Sequence, residues 1–319
     1  MKVLRFRVGD SEPLVGIMSK DGIVDPLLAE SGLGSEERSW FASTTALIGS
    51  GERGAALARR LLDNPSPKSR HRLEDVRLAA PMVPSTILCA GSNYLEHNAE
   101  KAGSPASGKE PEFFIKTSDC LAGPGDAIIH DPLVTSKLDC ETELAIVIGK
   151  PGRHIPANRA LEHVYGYTVF NDVTARDRQV RKADNGTIWY DLGRGKSFDT
   201  SACMGPWIVT ADEIGDPQRL DVSTRINGEL RQSANTANMI WNCAALIHFF
   251  SVNFTLRPGM VISTGTPAGT AWSSDKELGG KWNARPGLVA ATRYCLPGDK
   301  IESTIDRIGT LNNVVEGAK

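Results

Sequence analysis

Glu141-Thr142-Glu143 opens an apolar run, Leu144-Ala145-Ile146-Val147-Ile148-Gly149, and is the pattern in this sequence with the most chemical content. On a β-strand, side chains two residues apart share a face, about 6.6 Å apart along the chain. Two carboxylates held this way repel one another unless positive charge sits between them. Asp172, at the end of a further predicted strand over residues 167–170, offers a third oxygen ligand. Three carboxylates without His or Cys suit a hard cation, magnesium or manganese, rather than zinc. Taken alone, Glu-x-Glu also describes a solvated strand face, so the surrounding segments decide the reading.

The elements that must position these groups read as mainly β with some α. Residues 1–9 and 13–18 predict strands, and Asp21-Gly22 turns the chain into Ile23-Val24. Two short helices follow, roughly 40–47 and 55–62, and then a polar connection over 64–70. This divides the chain into a small N-terminal α+β domain, residues 1–78, and a larger domain, 79–319. In the larger part, short apolar runs recur between Gly and Pro turns, at 87–90, 113–116, 144–148, 167–170, 207–209, 260–262 and 300–302. Many short strands with little helix between them predict a roll or barrel. One helix is predicted over 236–250, and no internal repeat is present.

Composition excludes several functions. Of 319 residues, 40% are hydrophobic and 23% charged, with a net charge of −2, as in an ordinary globular protein. That balance gives no general attraction to nucleic acid or to anionic membranes. No apolar run is long enough to span a bilayer. The N-terminus has no signal-peptide core, so the cytoplasm is the expected compartment. The six cysteines form no Cys-x-x-Cys pair, which argues against a zinc site and for buried thiols; Cys140 is expected to face away from Glu141 and Glu143. Gly49-Ser50-Gly51-Glu52-Arg53-Gly54 matches G-x-G-x-x-G, but no βαβ unit surrounds it, so the glycines are expected to link two helices.

The segments around the carboxylates carry a resemblance. Cys140-Glu141-Thr142-Glu143-Leu144, followed by Phe170-Asn171-Asp172-Val173-Thr174-Ala175-Arg176-Asp177-Arg178-Gln179, resembles the core of the fumarylacetoacetate hydrolase family. Gly91-Ser92-Asn93-Tyr94 leading to His97, Gly195-Lys196-Ser197-Phe198-Asp199, Ile226-Asn227-Gly228-Glu229, Ser263-Thr264-Gly265-Thr266-Pro267 and Leu296-Pro297-Gly298-Asp299 match in order. Ser92 stands where many relatives carry Arg, and the segment 269–297, with Trp272 and Trp282, is longer than in compact members.

The resemblance implies a mixed β-roll/barrel catalytic domain preceded by the small N-terminal one. It assigns magnesium, or manganese, to Glu141, Glu143 and Asp172. His97 and Glu100 correspond to a water-activating pair, Lys196 to an active-site lysine, and Arg176 and Gln179 to a substrate-polarising pair. Thr266 joins these as a substrate contact. It also implies a homodimer and a small keto-acid substrate. The chemistry is consistent with this set, because a 2-oxo acid can chelate the ion and yield a pyruvate enolate. The expected activity is a carbon–carbon bond hydrolase on a 2,4-diketo acid of the acylpyruvate or fumarylpyruvate type. An oxaloacetate-type decarboxylase or a hydroxy-diene-dioate isomerase uses the same enolate and is the alternative. Residues 180–195, polar and with Trp189 and Tyr190 between glycines, are expected to form a lid.

Overall fold

The apolar run after Glu143 becomes the centre of the molecule. The computed structural model, which describes residues 1–100 and 109–319, makes it the Thr142–Ile148 strand, with all seven residues buried. A strand buried along its whole length must be covered on both faces. Leu144, Ile146 and Ile148 enter one core cluster together with Phe250 and Leu311. Ala145 and Val147 enter a second, with Cys89, Phe114, Phe170 and Val261. The period of two thus divides one continuous apolar run between two cores.

Val164–Asp172 and Val261–Ser263 pair antiparallel with this strand on either side. Beyond Val164–Asp172 the sheet continues through Ala202–Thr210, Lys2–Arg7, Leu14–Ser19, Gly22–Val24 and Arg70–His71. Beyond Val261–Ser263 it continues through Ile87–Gly91 to Glu112–Lys116 at the edge. Pairing of Lys2 with Val209 and Val3 with Ile208 carries the sheet without a break from the N-terminal strands into the rest of the chain. A second sheet runs in the order Glu229–Asn235, Asp221–Ile226, Lys300–Ile305, Gly309–Gly317, Ala127–His130. Its inward residues Val222, Ile301, Ile305, Leu311 and Val315 close the first core. The fold is mainly β with some α, as predicted. No helix among the described residues is long and apolar enough to cross a membrane.

Several local expectations change. The helix predicted over 236–250 is a short 3-10 turn, Thr236–Asn238, followed by the helix Cys243–Asn253. The Asn242 side chain accepts from Ala245 N and starts the helix there. Ile240 and Trp241 are instead taken by Asn93, through its carbonyl and its Oδ1. The N-terminal α-helices among the described residues are four, Pro26–Ala29, Ser35–Trp40, Thr44–Gly49 and Gly51–Asp63, and the glycine cluster lies at the junction of the last two, as expected. The hairpin Asp221–Ile226 to Glu229–Asn235 was not among the predicted strands. Its turn residues Asn227 and Gly228 have φ of 53° and 82°, which suits a two-residue Asn-Gly turn.

Two short helices bring polar groups back to the sheet: Arg176–Gln179 and Leu192–Lys196. They meet at Gly195, where an added Cβ would lie 2.6 Å from the Cα of Gln179. Gly195→Ala is therefore expected to lower stability by about 1–3 kcal/mol, the usual cost of overpacking. It should also displace Lys196, so a thermal melt will fall together with catalytic rate, and an unchanged melt would refute the close fit.

Candidate active site

Four strands end their shared apolar face in polar residues. Glu143 follows the face of Ala145 and Val147, and Glu141 lies two residues before it. Asp172 lies two residues beyond Phe170, Lys116 two beyond Phe114, and Ser263 two beyond Val261. Because side chains repeat every second residue, these polar groups must converge at one end of the second core. The pairing of Asp172 N with Glu141 O at 2.9 Å sets the two acids side by side. Oxygens of Glu141, Glu143 and Asp172 all lie within 4.8 Å of one another, and all three residues are buried.

The surroundings of these carboxylates are not equivalent. Lys196 Nζ donates to Glu141 Oε2 at 2.5 Å, Asp172 Oδ2 at 2.6 Å and Thr174 Oγ1 at 2.8 Å. Arg176 donates from Nε to Asp139 Oδ2 at 2.8 Å, from Nη1 to Gln179 Oε1 at 2.8 Å, and from Nη2 to Glu141 Oε1. Burial alone would raise the Glu141 carboxyl, but Arg176 and Lys196 outweigh it and hold it well below the usual range. Among the described residues, the hydrogen-bond partners of Glu143 are neutral, Ser263 Oγ at 2.5 Å and Gly265 N at 2.8 Å. Burial, then Asp172 and Glu141, push its carboxyl well up. The same acids keep Lys196 charged, overcoming the burial that would lower it.

The donor set fits a hard divalent cation. It is all oxygen, converging and buried, and its least compensated member is Glu143. In this cluster the acids Asp139, Glu141 and Asp172 are paired with Arg176, Lys196 and Lys116, and Glu143 is the one of the four acids without a paired cation among the described residues.

His97 sits in the helix Leu95–Ala99, and its Nδ1 lies 3.5 Å from Glu100 Oε2. That oxygen also accepts from Gly269 N at 3.0 Å. Trp272, from the long 269–297 segment, stands edge-on to both His97 and Tyr190, and the Arg176 guanidinium lies 5.1 Å from its ring centre. Together these groups enclose a cavity of about 30 Å³, lined by the three acids, Lys196, His97, Gln179 and Thr266 among others. Thr266 is oriented by its bonds with Gln232 Nε2 and Thr142 O.

All nine residues singled out from the sequence therefore lie at one place. Glu100 is the outermost, reaching the cavity through His97. Arg176 does not pair with Asp177, which is held by Thr135 and Ser136 instead. The expected lid over 180–195 contains a small hairpin, Val180–Lys182 with Ile188–Tyr190, and the helix that carries Lys196. Tyr190 faces the cavity, whereas Trp189 is 48% exposed. Cys140 points away from the acids, toward Cys295.

Two residues escaped the sequence reading. Lys116, wholly buried, pairs with Asp172 Oδ1 at 2.9 Å and also donates to Ser201 O and to the carbonyl of Lys196. Its only sequence signal was a charge ending an apolar strand. Asp139 accepts from Cys140 N, Ala271 N, Trp272 N and Arg176 Nε. It thereby ties the 269–297 segment to Arg176.

Residues 86–316 match the family model described as fumarylacetoacetate (FAA) hydrolase, C-terminal. The chain belongs to the fumarylacetoacetate hydrolase family. It is 37% identical to oxaloacetate tautomerase YisK of Bacillus subtilis over 323 residues, 98% of this chain and 100% of that protein. It is also 37% identical to human mitochondrial oxaloacetate tautomerase FAHD2A over 272 residues, 85% of this chain and 79% of that one. Among solved structures, a maleylpyruvate hydrolase from Sphingobium in complex with manganese(II) and pyruvate matches with TM-score 0.72 and 27% identity over all of both chains. A fumarylacetoacetate hydrolase from Exiguobacterium antarcticum matches with TM-score 0.74 and 33% identity, again over all of both.

Removing Lys116 would leave a buried carboxylate with one cation fewer. Lys116→Met is expected to cost about 3–5 kcal/mol of stability, the range for breaking a buried ion pair. Denaturant unfolding measures this, and a change under about 1 kcal/mol would mean that Lys116 does not offset the buried charge.

Proposed function

We propose that this protein is a divalent-metal-dependent enzyme that interconverts the keto and enol forms of a short 2-oxo dicarboxylate of the oxaloacetate kind. The observation that carries this reading is the convergence of Glu141, Glu143 and Asp172 on a small cavity flanked by Lys196 and the His97–Glu100 pair. A cavity of about 30 Å³ holds on the order of one water. A compact substrate therefore requires the least displacement of Tyr190 and Trp272. The two tautomerase relatives support the same choice.

Magnesium or manganese, held by Glu141, Glu143 and Asp172, would supply a Lewis acid for the substrate's carboxylate and 2-oxo oxygens. The protein's own groups do the rest. Glu100 orients the imidazole through Nδ1, leaving Nε2 to take a proton from carbon 3 and return it. Lys196 donates toward the oxygen on which negative charge develops. Arg176, fixed by Asp139, holds Glu141 and Gln179 in place. Tyr190 and Trp272 restrict water around the reacting carbons.

Hydrolysis of a 2,4-diketo acid to pyruvate and a carboxylic acid is the second reading. The His97–Glu100 pair favours it, because the same imidazole can activate a water instead of taking a carbon-bound proton. Decarboxylation of oxaloacetate uses the same carboxylate cluster without an attacking water. A homodimer is part of the proposal, supported by the edge strand Glu112–Lys116, which exposes Phe113 and Ile115.

Purified protein should accelerate oxaloacetate tautomerisation, followed by the ultraviolet absorbance of the enol. Chelation should abolish the activity, and magnesium or manganese should restore it; full activity without metal ends this proposal. His97→Ala should slow the reaction by roughly a hundredfold, the scale of general-base loss, while metal affinity measured by calorimetry stays the same. Pyruvate release from acylpyruvates faster than tautomerisation would move the assignment to the hydrolase reading. Sedimentation at micromolar concentration should give a dimer.

A further inference from the structure

A second cavity, about 180 Å³, lies behind the Asp139–Arg176 pair and shares no lining residue with the first. Its wall includes Arg231, Thr270 and Asp139, with Cys140, Ala271 and Cys295 as small, weakly polar surface. The donors on this wall are not all used. Arg231 Nη2 donates to Glu229 at 2.7 Å, but buried Nε and Nη1 have no hydrogen-bond partner among the described residues. Thr270 is 2% exposed, and its Oγ1 also has none. Leaving buried donors unsatisfied is costly, most of all on a cation.

Of the carboxylates on the same wall, Glu229 is paired with Arg231 through one oxygen, and Asp139 and Asp299 are fully engaged. Asp139 takes four N–H groups, as described above. Asp299 takes two from Arg293, one from Asn227 and one from Leu296. A ligand must therefore bring acceptors to Arg231 and Thr270, which calls for an anion. The volume corresponds to about six waters, the size of an acid with a few carbons. The thiols and alanines leave room for an apolar tail, which phosphate lacks.

We propose that this cavity is a separate binding site for a short-chain monocarboxylate, with its carboxylate on Arg231 and Thr270. The site has a route to the first one. Gly269, at φ +110°, lies so close to Arg231 that an added Cβ would be 2.0 Å from the Arg231 carbonyl oxygen. Its own N–H holds Glu100, while Ala271 and Trp272 hold Asp139. Gln232, next to Arg231, holds Thr266. The backbone that lines this cavity thus also holds groups on the catalytic side, a link that rests on the function proposed above.

The binding test needs no activity, so it stands apart from that function. Sodium butyrate is titrated calorimetrically into the full chain with a chelator present, so that no metal recruits it to the acid cluster. Saturable binding of one butyrate per chain is expected in wild type and equally in Glu143→Ala. Arg231→Gln should weaken it at least about tenfold, as for loss of a charged donor. Thr270→Val, which leaves the charge in place, should weaken it less. Melting curves establish that each variant is folded; should Arg231→Gln unfold, Arg231→Lys replaces it, with a loss of affinity again expected. Absence of saturable heat, undiminished binding in both the arginine and threonine variants, or phosphate binding as tightly as butyrate would overturn the proposal.

Discussion

Everything at the site follows from burying carboxylates at the end of an apolar sheet face. Asp139, Glu141, Glu143 and Asp172 all lie within a few per cent of full burial. An ionised carboxylate taken out of water costs several kcal/mol unless it is paired. The fold offsets this with three cations that come from distant parts of the chain: Lys116 from an edge strand, Arg176 and Lys196 from two short helices. Each cation is itself buried, and each is paired with one or more of the acids. Neither set is stable in that position without the other.

This mutual dependence explains the distribution of charge. Arg176 and Lys196 both reach Glu141, and Lys196 and Lys116 both reach Asp172. Glu143 receives only a hydroxyl and an amide. The cluster is therefore paired with cations on one side, while Glu143 on the other has no cation within hydrogen-bond reach among the described residues. That asymmetry suits a divalent cation, whose charge would compensate the acid that the protein does not. It also places Lys196 beside the acids and on the wall of the cavity.

The 269–297 segment closes the other side. Trp272 packs between His97, Tyr190 and the Arg176 guanidinium, and its backbone is anchored on Asp139. Lys137 reinforces the anchor by pairing with Asp275 at 2.8 Å and Glu277 at 2.6 Å. The segment thus supplies Trp272 as a wall of the cavity. One buried acid, Asp139, therefore fixes both the arginine and the wall.

The sequence by itself determined what depends on local pattern. Alternation in Glu141-Thr142-Glu143 placed two acids on one strand face, and the apolar run after them marked a central strand. The same local signals located seven strand runs and the helical link at Gly49 to Gly54, while the resemblance of ordered motifs to the family pointed to the catalytic and substrate-contact candidates. Tertiary structure alone decided which charges neutralise which, because those pairs join residues far apart in sequence. Lys116 looked like the polar end of a strand until the fold placed Asp172 beside it. Asp139 had no signal, since it is fixed by the Arg176 guanidinium and by backbone amides of Ala271 and Trp272, a segment over a hundred residues later. The helix predicted from residue 236 starts at 243 because Asn93, nearly 150 residues earlier, holds Ile240 and Trp241 extended. Periodicity assigns each side chain to a face, but it carries no information about which group lies opposite once the sheet has folded.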